Sequence, residues 1–145
     1  MQVNTAIFGS LDIAAENILE MQHGPLGFDE YRQYALLERE DQGVVFRWLQ
    51  ATDNESICFV VFDPYEVITG YSPELERRDL RELGCSRPED LRYYAIAVVP
   101  EDYTKATINL KSPIAVNPVT NVAKQVILQN VDYPIRFPLA GDDTH

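Results

Sequence analysis

The stretch Asn109-Leu110-Lys111-Ser112-Pro113-Ile114-Ala115-Val116-Asn117 holds two short extended segments bent around a proline. One strand ends at Leu110, Pro113 forces the chain to turn, and a second strand runs on to Asn117. Asn109 and Asn117 flank the bend, and asparagine side chains hydrogen-bond to nearby backbone and hold turns. The next segment, 122–128, alternates Val122, Lys124, Val126 and Leu128 on one side with Ala123, Gln125 and Ile127 on the other. Apolar residues on both faces fit a curled sheet whose ends are covered by loops, since a flat one-sided sheet has one polar face. The segment 133–139 is an extended arm punctuated by Pro134 and Pro138.

Upstream, the same short-strand pattern recurs. Segments 3–8, 11–13, 18–21, 34–38, 44–51, 56–62, 93–99 and 106–110 read as strands. Gly9-Ser10 reads as the first turn, and Asp41-Gln42-Gly43 as another. The continuous apolar run at 56–62 predicts a central strand covered on both faces, stopped by Asp63-Pro64. The loop 23–28 carries two glycines and a proline and breaks regular structure. Ser72-Pro73 predicts a helix over 74–83, with the serine as cap, Leu80 and Leu83 facing inward and Gly84 past the end. Ser86 and Glu89 form a capping box for one more helical turn. Many short strands and one short helix predict a mainly β, small β-barrel-like single domain over 1–139, with a few helical turns and a polar, frayed tail over 140–145.

The formal net charge is −11, and it is uneven. Residues 1–72 hold 12 acidic and 3 basic side chains, whereas 73–145 hold 11 and 9. Such a first half repels nucleic acid and favours basic partners. The plainer reading is solubility. Cys58 and Cys85 lack C-x-x-C spacing, and a two-cysteine chain without a signal segment reads as cytoplasmic and reduced. The longest strictly apolar run, tyrosine not counted, is 57–62, far short of the ~20 residues that span a bilayer.

The residues for common chemistry are sparse. His23 lies in the glycine-proline loop and His145 is the last residue. No nucleophile elbow, zincin, P-loop or dinucleotide motif occurs. The carboxylate pairs Asp29-Glu30 and Glu101-Asp102 lack calcium-loop spacing. No catalytic residue, metal or cofactor is expected. Arg77, Arg78 and Arg81 alternate with Glu74, Glu76, Asp79 and Glu82, the pattern of an ion-paired helix face and not of an RNA-binding patch. Tyr31, Tyr34, Tyr65, Tyr71 and Tyr103 fall at loops or element ends, where tyrosine suits protein interfaces. Partner contact is therefore expected at Glu30, Tyr31, Asp63, Tyr65, Glu66 and Tyr71. Asn109, Leu110, Pro113, Asn117, Gln125, Pro134 and Pro138 read as mainly structural.

The C-terminal block closely resembles the FliW family, whose C-terminal third reads N-L-K-[AS]-P-[IV]-x-[IV]-N, then a lysine-glutamine-bearing strand, then Y-P-I/T-x-x-P-L. Asn109, Leu110, Lys111, Pro113, Ile114, Asn117, Lys124, Gln125, Ile127, Leu128, Tyr133, Pro134, Pro138 and Leu139 match it. Ile18, Gly24, Gly27, Phe28, the run Phe59-Val60-Val61 and Pro64 match its N-terminal part. The chain departs from the pattern at Met21, usually aromatic, in the inverted order Pro25-Leu26, and at Phe137, frequently histidine. The resemblance implies a non-catalytic flagellar assembly factor, monomeric when free. It implies binding to flagellin and to the RNA-binding translational regulator CsrA. Flagellin would sequester the factor, and its secretion would free the factor to relieve CsrA repression of flagellin translation, without direct nucleic-acid contact. A flagellin-protecting chaperone without CsrA contact is the alternative, followed by a small-ligand barrel or enzyme.

Overall fold

Seven strands close into a barrel in the computed structural model, which describes residues 1–25, 27–130 and 132–139. Leu26, Val131, the side chain of Tyr103 and the expected tail 140–145 lie outside it. The chain begins with a separate hairpin, β1 (Gln2–Thr5) and β2 (Gly9–Asp12). The barrel strands are β3 (Ile18–Met21), β4 (Gln33–Asp41), β5 (Val44–Ala51), β6 (Cys58–Phe62) and β7 (Arg92–Val98), joined by β9 (Ile114–Val116) and β10 (Val122–Gln125). β7 pairs with β9, β9 with β10, and β10 runs parallel to β3, with Val122 opposite Glu20 and Ala123 opposite Met21. Beyond β9, the far end of β7 carries β8 (Thr107–Ile108), which in turn pairs with β11 (Phe137–Pro138).

Period-two alternation sorts the side chains. Leu19, Met21, Tyr34, Leu49, Ala51, Val61, Tyr94, Ile114, Val116 and Ala123 fill the barrel. Their neighbours in sequence point outward, into two covering clusters. Ile18, Ala35 and Leu37 pack under the β1–β2 hairpin with Phe8, Leu11 and Trp48. Tyr93, Ala95 and Ala115 pack under the C-terminal segments and a short helix, with Leu83, Leu110 and Leu128. Gln50, fully buried, joins the hairpin to the barrel: its Oε1 accepts from the Ala6 amide at 2.9 Å, and its Nε2 donates to the carbonyls of Ala51, Asn54 and Ile57.

Several local expectations need correction. The first turn is Ala6-Ile7-Phe8, and Gly9-Ser10 belong to β2, because Thr5 Oγ1 accepts from the Phe8 amide and donates to the Gly9 carbonyl. β6 is central, but only Val61 along it is fully buried; the other four residues are half-buried, Phe59 packing on the barrel cluster and Phe62 on the C-terminal one. Asp63-Pro64 does more than end β6. It starts α1 (Pro64–Val67), with Asp63 Oδ1 accepting from the Tyr65 amide at 2.9 Å. The main helix, α2 (Arg77–Glu82), begins later than Ser72-Pro73 suggests. Residues 72–74 stay outside the helix, because the Glu74 amide donates to Asn130 Oδ1, Asn130 Nδ2 donates to the Ser72 carbonyl, and the Gln129 amide donates to the Glu74 carbonyl. The helical turn after Ser86 exists at Pro88–Asp90, yet no side chain caps it. Leu83 is buried and Gly84 has a positive φ of 71°, as the sequence predicts.

Candidate functional site

Two features at one end of the barrel arise from where β6 stops. β6 covers β5 only from Arg47 onward, in the register Arg47–Val61 through Gln50–Cys58. Past Phe62 the Asp63 cap turns the chain into α1 and away from that edge. The outer halves of β4 and β5 therefore extend past β6 as a two-stranded arm, Glu38 to Asp41 against Val44 to Arg47. Gln42 and Gly43 close it with φ of 53° and 82°, the paired left-handed residues of a hairpin turn whose twist matches its strands. Val44, Val45 and Phe46 are exposed, and Glu38, Arg39, Glu40 and Asp41 line the opposite strand. The Phe46 ring stacks on Trp48, and Phe8 meets Trp48 edge-on. The outer face of the arm thus continues the cluster under the N-terminal hairpin.

Beside the arm stands α1. Arg47 bridges the two, with Nε 2.8 Å from Glu38 Oε2 and a terminal nitrogen 3.7 Å from Glu66 Oε1. A groove of about 250 Å³ lies between them, lined by Glu38, Arg47, Asp63, Tyr65, Arg92 and Tyr94 among others. Tyr65 is 47% exposed, and its ring sits edge-on to Tyr71 at 5.4 Å and tilted against Tyr93 at 6.1 Å. Tyr71 in turn stacks on Tyr133 at 4.8 Å and donates its hydroxyl to the Leu110 carbonyl at 2.9 Å. Burial raises the hydroxyl pKa of Tyr65, Tyr71 and Tyr93, so all three stay neutral hydrogen-bonding groups at physiological pH.

The expected contact residues are divided by this arrangement. Asp63, Tyr65 and Glu66 come together on α1. Tyr71 is 4% exposed and lies beneath Tyr65 as its support, so it offers a partner no surface of consequence. Glu30 and Tyr31 lie elsewhere, after the loop that follows β3. Glu30 is exposed, while the half-buried Tyr31 packs against the barrel cluster and its hydroxyl accepts from Asn54 Nδ2 at 3.2 Å. Gly24 shapes that loop, since a Cβ there would fall 2.0 Å from the Phe28 carbonyl oxygen and 2.3 Å from that of Tyr31. Glu38, Arg47 and Arg92 were not anticipated. The acidic run before Gln42-Gly43, facing Val44-Val45-Phe46, was the available signal.

The residues read as structural are engaged within the fold. Asn109 Oδ1 accepts from the amides of Lys111 and Ser112, and Leu110 is fully buried. The Pro113 carbonyl accepts from the Val126 amide, and Gln125 Nε2 donates to the Ser112 carbonyl at 3.0 Å. Asn117 Nδ2 donates to the Leu83 carbonyl at 2.9 Å, closing the end of α2, and its Oδ1 accepts from the Val119 amide. The Pro134 carbonyl accepts from Leu110, and Pro138 pairs with Thr107. The arginines of α2 pair weakly: Arg78 lies 3.9 Å from Glu76, while Asp79 and Glu82 bind Lys124. A surface cleft of about 520 Å³ opens beside this region, with His23, Asp29, Lys111, Lys124, Ile127 and Ile135 in its lining. Its lysines are already engaged, Lys124 with Asp79 and Glu82, and Lys111 with the Asn130 carbonyl. No helix among the described residues is long and apolar enough to cross a membrane.

Comparison with known proteins gives a consistent result. Residues 2–139 match the model of the FliW protein family. The chain is 35% identical over 136 residues to the flagellar assembly factor FliW of Ruminiclostridium cellulolyticum, covering 94% of this chain and 92% of that one. It is 34% identical over 139 residues to the FliW of Thermoanaerobacter pseudethanolicus, covering 96% and 93%. A crystal structure of the flagellar assembly factor FliW superposes with a TM-score of 0.86 at 27% identity, covering 99% of both chains.

Proposed function

The chain belongs to the FliW family of flagellar assembly factors, and from that premise we propose that it acts by binding, without catalysis, as a partner-switching regulator in the cytoplasm. It binds flagellin while flagellin accumulates. Once flagellin is exported, the free monomer binds CsrA and lifts CsrA repression of flagellin translation. The observation that carries this reading is the acidic, tyrosine-bearing face of α1 and the arm, on a chain of net charge −11. An RNA-binding regulator is basic, so opposite charge steers it to this face, and the bound acidic chain then repels approaching phosphates. The barrel interior is filled by side chains, which does not favour a small-ligand barrel.

The test is a titration of the purified protein with the CsrA and the flagellin of its own organism, singly and together. Each binds alone, flagellin displaces CsrA, and raising salt weakens the CsrA complex. Binding of flagellin without CsrA would instead support the chaperone reading. Failure to bind either protein would remove the proposal.

A further inference from the structure

We propose that a basic partner docks by adding an extended segment to the free edge of β5, in the lane that β6 leaves at Asp63. This rests on the reading that the chain binds a basic protein. The hairpin geometry fixes which backbone groups are available. A two-residue turn makes Asp41 and Val44 the first mutually bonded pair of the β4–β5 ladder, and Arg39 with Phe46 the next. Val45 lies between them, so its N–H and C=O point away from β4. On that side β6 reaches only as far as Arg47. Continuing the register Arg47–Val61 by two residues sets Asp63 opposite Val45, but the ladder stops short of that pair and the chain enters α1 at the next residue. Val45 therefore presents a donor and an acceptor on an uncovered edge.

The edge is short, and it carries neither of the side-chain blocks that most often guard one. Val44, Val45 and Phe46 include no lysine and no proline, and all three are exposed, at 52%, 39% and 37%. Charge selects the occupant. A second copy would bring one chain of net charge −11 against another, with Glu38, Glu40 and Asp41 of both arms side by side. A basic polypeptide meets no such repulsion. The side chain it places opposite Val45 lies on the same face of the sheet as Val45, Glu40, Glu38 and Arg47. That face borders the groove that holds Asp63, and Glu66 reaches Arg47 beside it. A lysine or arginine there lies between Glu40, across Val45, and Asp63 of the groove, and it competes with Arg47 for the carboxylates of Glu38 and Glu66, while backbone bonds to Val45 fix its register.

The experiment is amide hydrogen exchange on the whole chain, free and with purified CsrA as the probe, together with affinities of three variants. The Val45 amide exchanges freely in the uncomplexed chain and at least tenfold more slowly in the complex. Val45→Pro, which removes the outward donor without removing a β4–β5 ladder bond, weakens binding at least tenfold, whereas Val45→Ala keeps the donor and stays within about threefold. Glu40→Lys weakens binding and flattens its salt dependence. If the complex forms while the Val45 amide remains unprotected, the edge proposal is overturned and the functional reading stands. If wild type does not bind, both fall. A concentration-dependent dimer with Val45 protected in the free chain gives the edge to a second copy and also overturns it. Should Val45→Pro not fold, the wild-type exchange result decides alone.

Discussion

The bend at Asn109 to Asn117 and the arm at Glu38 to Arg47 use backbone polar groups in opposite ways. In the bend, asparagine side chains and neighbouring carbonyls absorb the amides of Lys111, Ser112, Val119 and Val126. In the arm, one strand edge is left uncovered beyond Arg47. The bend has a distinctive sequence because each of its residues answers a local geometric demand. The arm has an ordinary sequence because exposed positions make few demands. A recognisable motif is therefore a guide to how this chain folds, and says little about its exposed arm.

The sharpest way to break this contrast is to truncate one aliphatic side chain in each region. Ile114 is fully buried in the barrel, and Ile114→Ala should cost about 3–4 kcal/mol. Val44→Ala on the arm should change stability by less than about 0.5 kcal/mol. Urea denaturation midpoints measure both, and equal losses would mean that the arm is part of the core.

A smaller effect is expected where the structural region carries charge. Lys124 Nζ lies 2.6 Å from Asp79 Oδ1, and Asp79 is only 4% exposed. Lys124→Met leaves that carboxylate buried without its cation and should cost about 2 kcal/mol at pH 7. The hydrogen bond from Lys124, aided by its charge, also holds the Glu82 carboxyl below its ordinary value of 4.5. A depressed carboxylate stabilises the fold above its unfolded pKa, and that contribution disappears as pH falls through the folded one. The difference between wild type and Lys124→Met should therefore shrink below about pH 4.5. A gap that stays constant from pH 7 to pH 3 would show that the lysine acts through packing alone.

The smallest effect concerns the barrel interior. Tyr34 is fully buried, its hydroxyl has no hydrogen-bond partner among the described residues, and burial pushes its pKa up to about 12. Tyr34→Phe should leave stability unchanged or raise it by up to about 1 kcal/mol, since the hydroxyl was desolvated without return. A clear loss in the melting curve would reveal a bond that the hydroxyl makes.

Much of the barrel was legible because period-two alternation is a local signal. Segments 18–21 and 44–51 coincide with β3 and β5, and at 122–128 Val122, Val126 and Leu128 join one cluster and Ala123 another, although β10 ends at Gln125 and Ile127 is exposed. What failed depended on distant partners. Ser72-Pro73 has the local form of a helix start, but Asn130 claims the same backbone first. Asp63-Pro64 has that form too and does start a helix, one too short to leave a periodic trace. Tyr65 and Tyr71 look alike in sequence, and only the fold shows that one sits on the surface and the other beneath it. Arg47 joins Glu38 across a hairpin and Glu66 on α1, beyond β6, a pairing that no sequence spacing announces.

The parallel pairing of β3 with β10 sets Glu20 beside Val122. A ribosome emits the chain from its N-terminus, so β3 must wait for nearly all the remaining strands before its second neighbour exists. Closure is then a late event governed by contacts remote in sequence, which form slowly. During that interval β3 and the Arg92–Tyr94 part of β7 both carry unpaired edges, and a chain stalled before residue 114 lacks the strands that seal them.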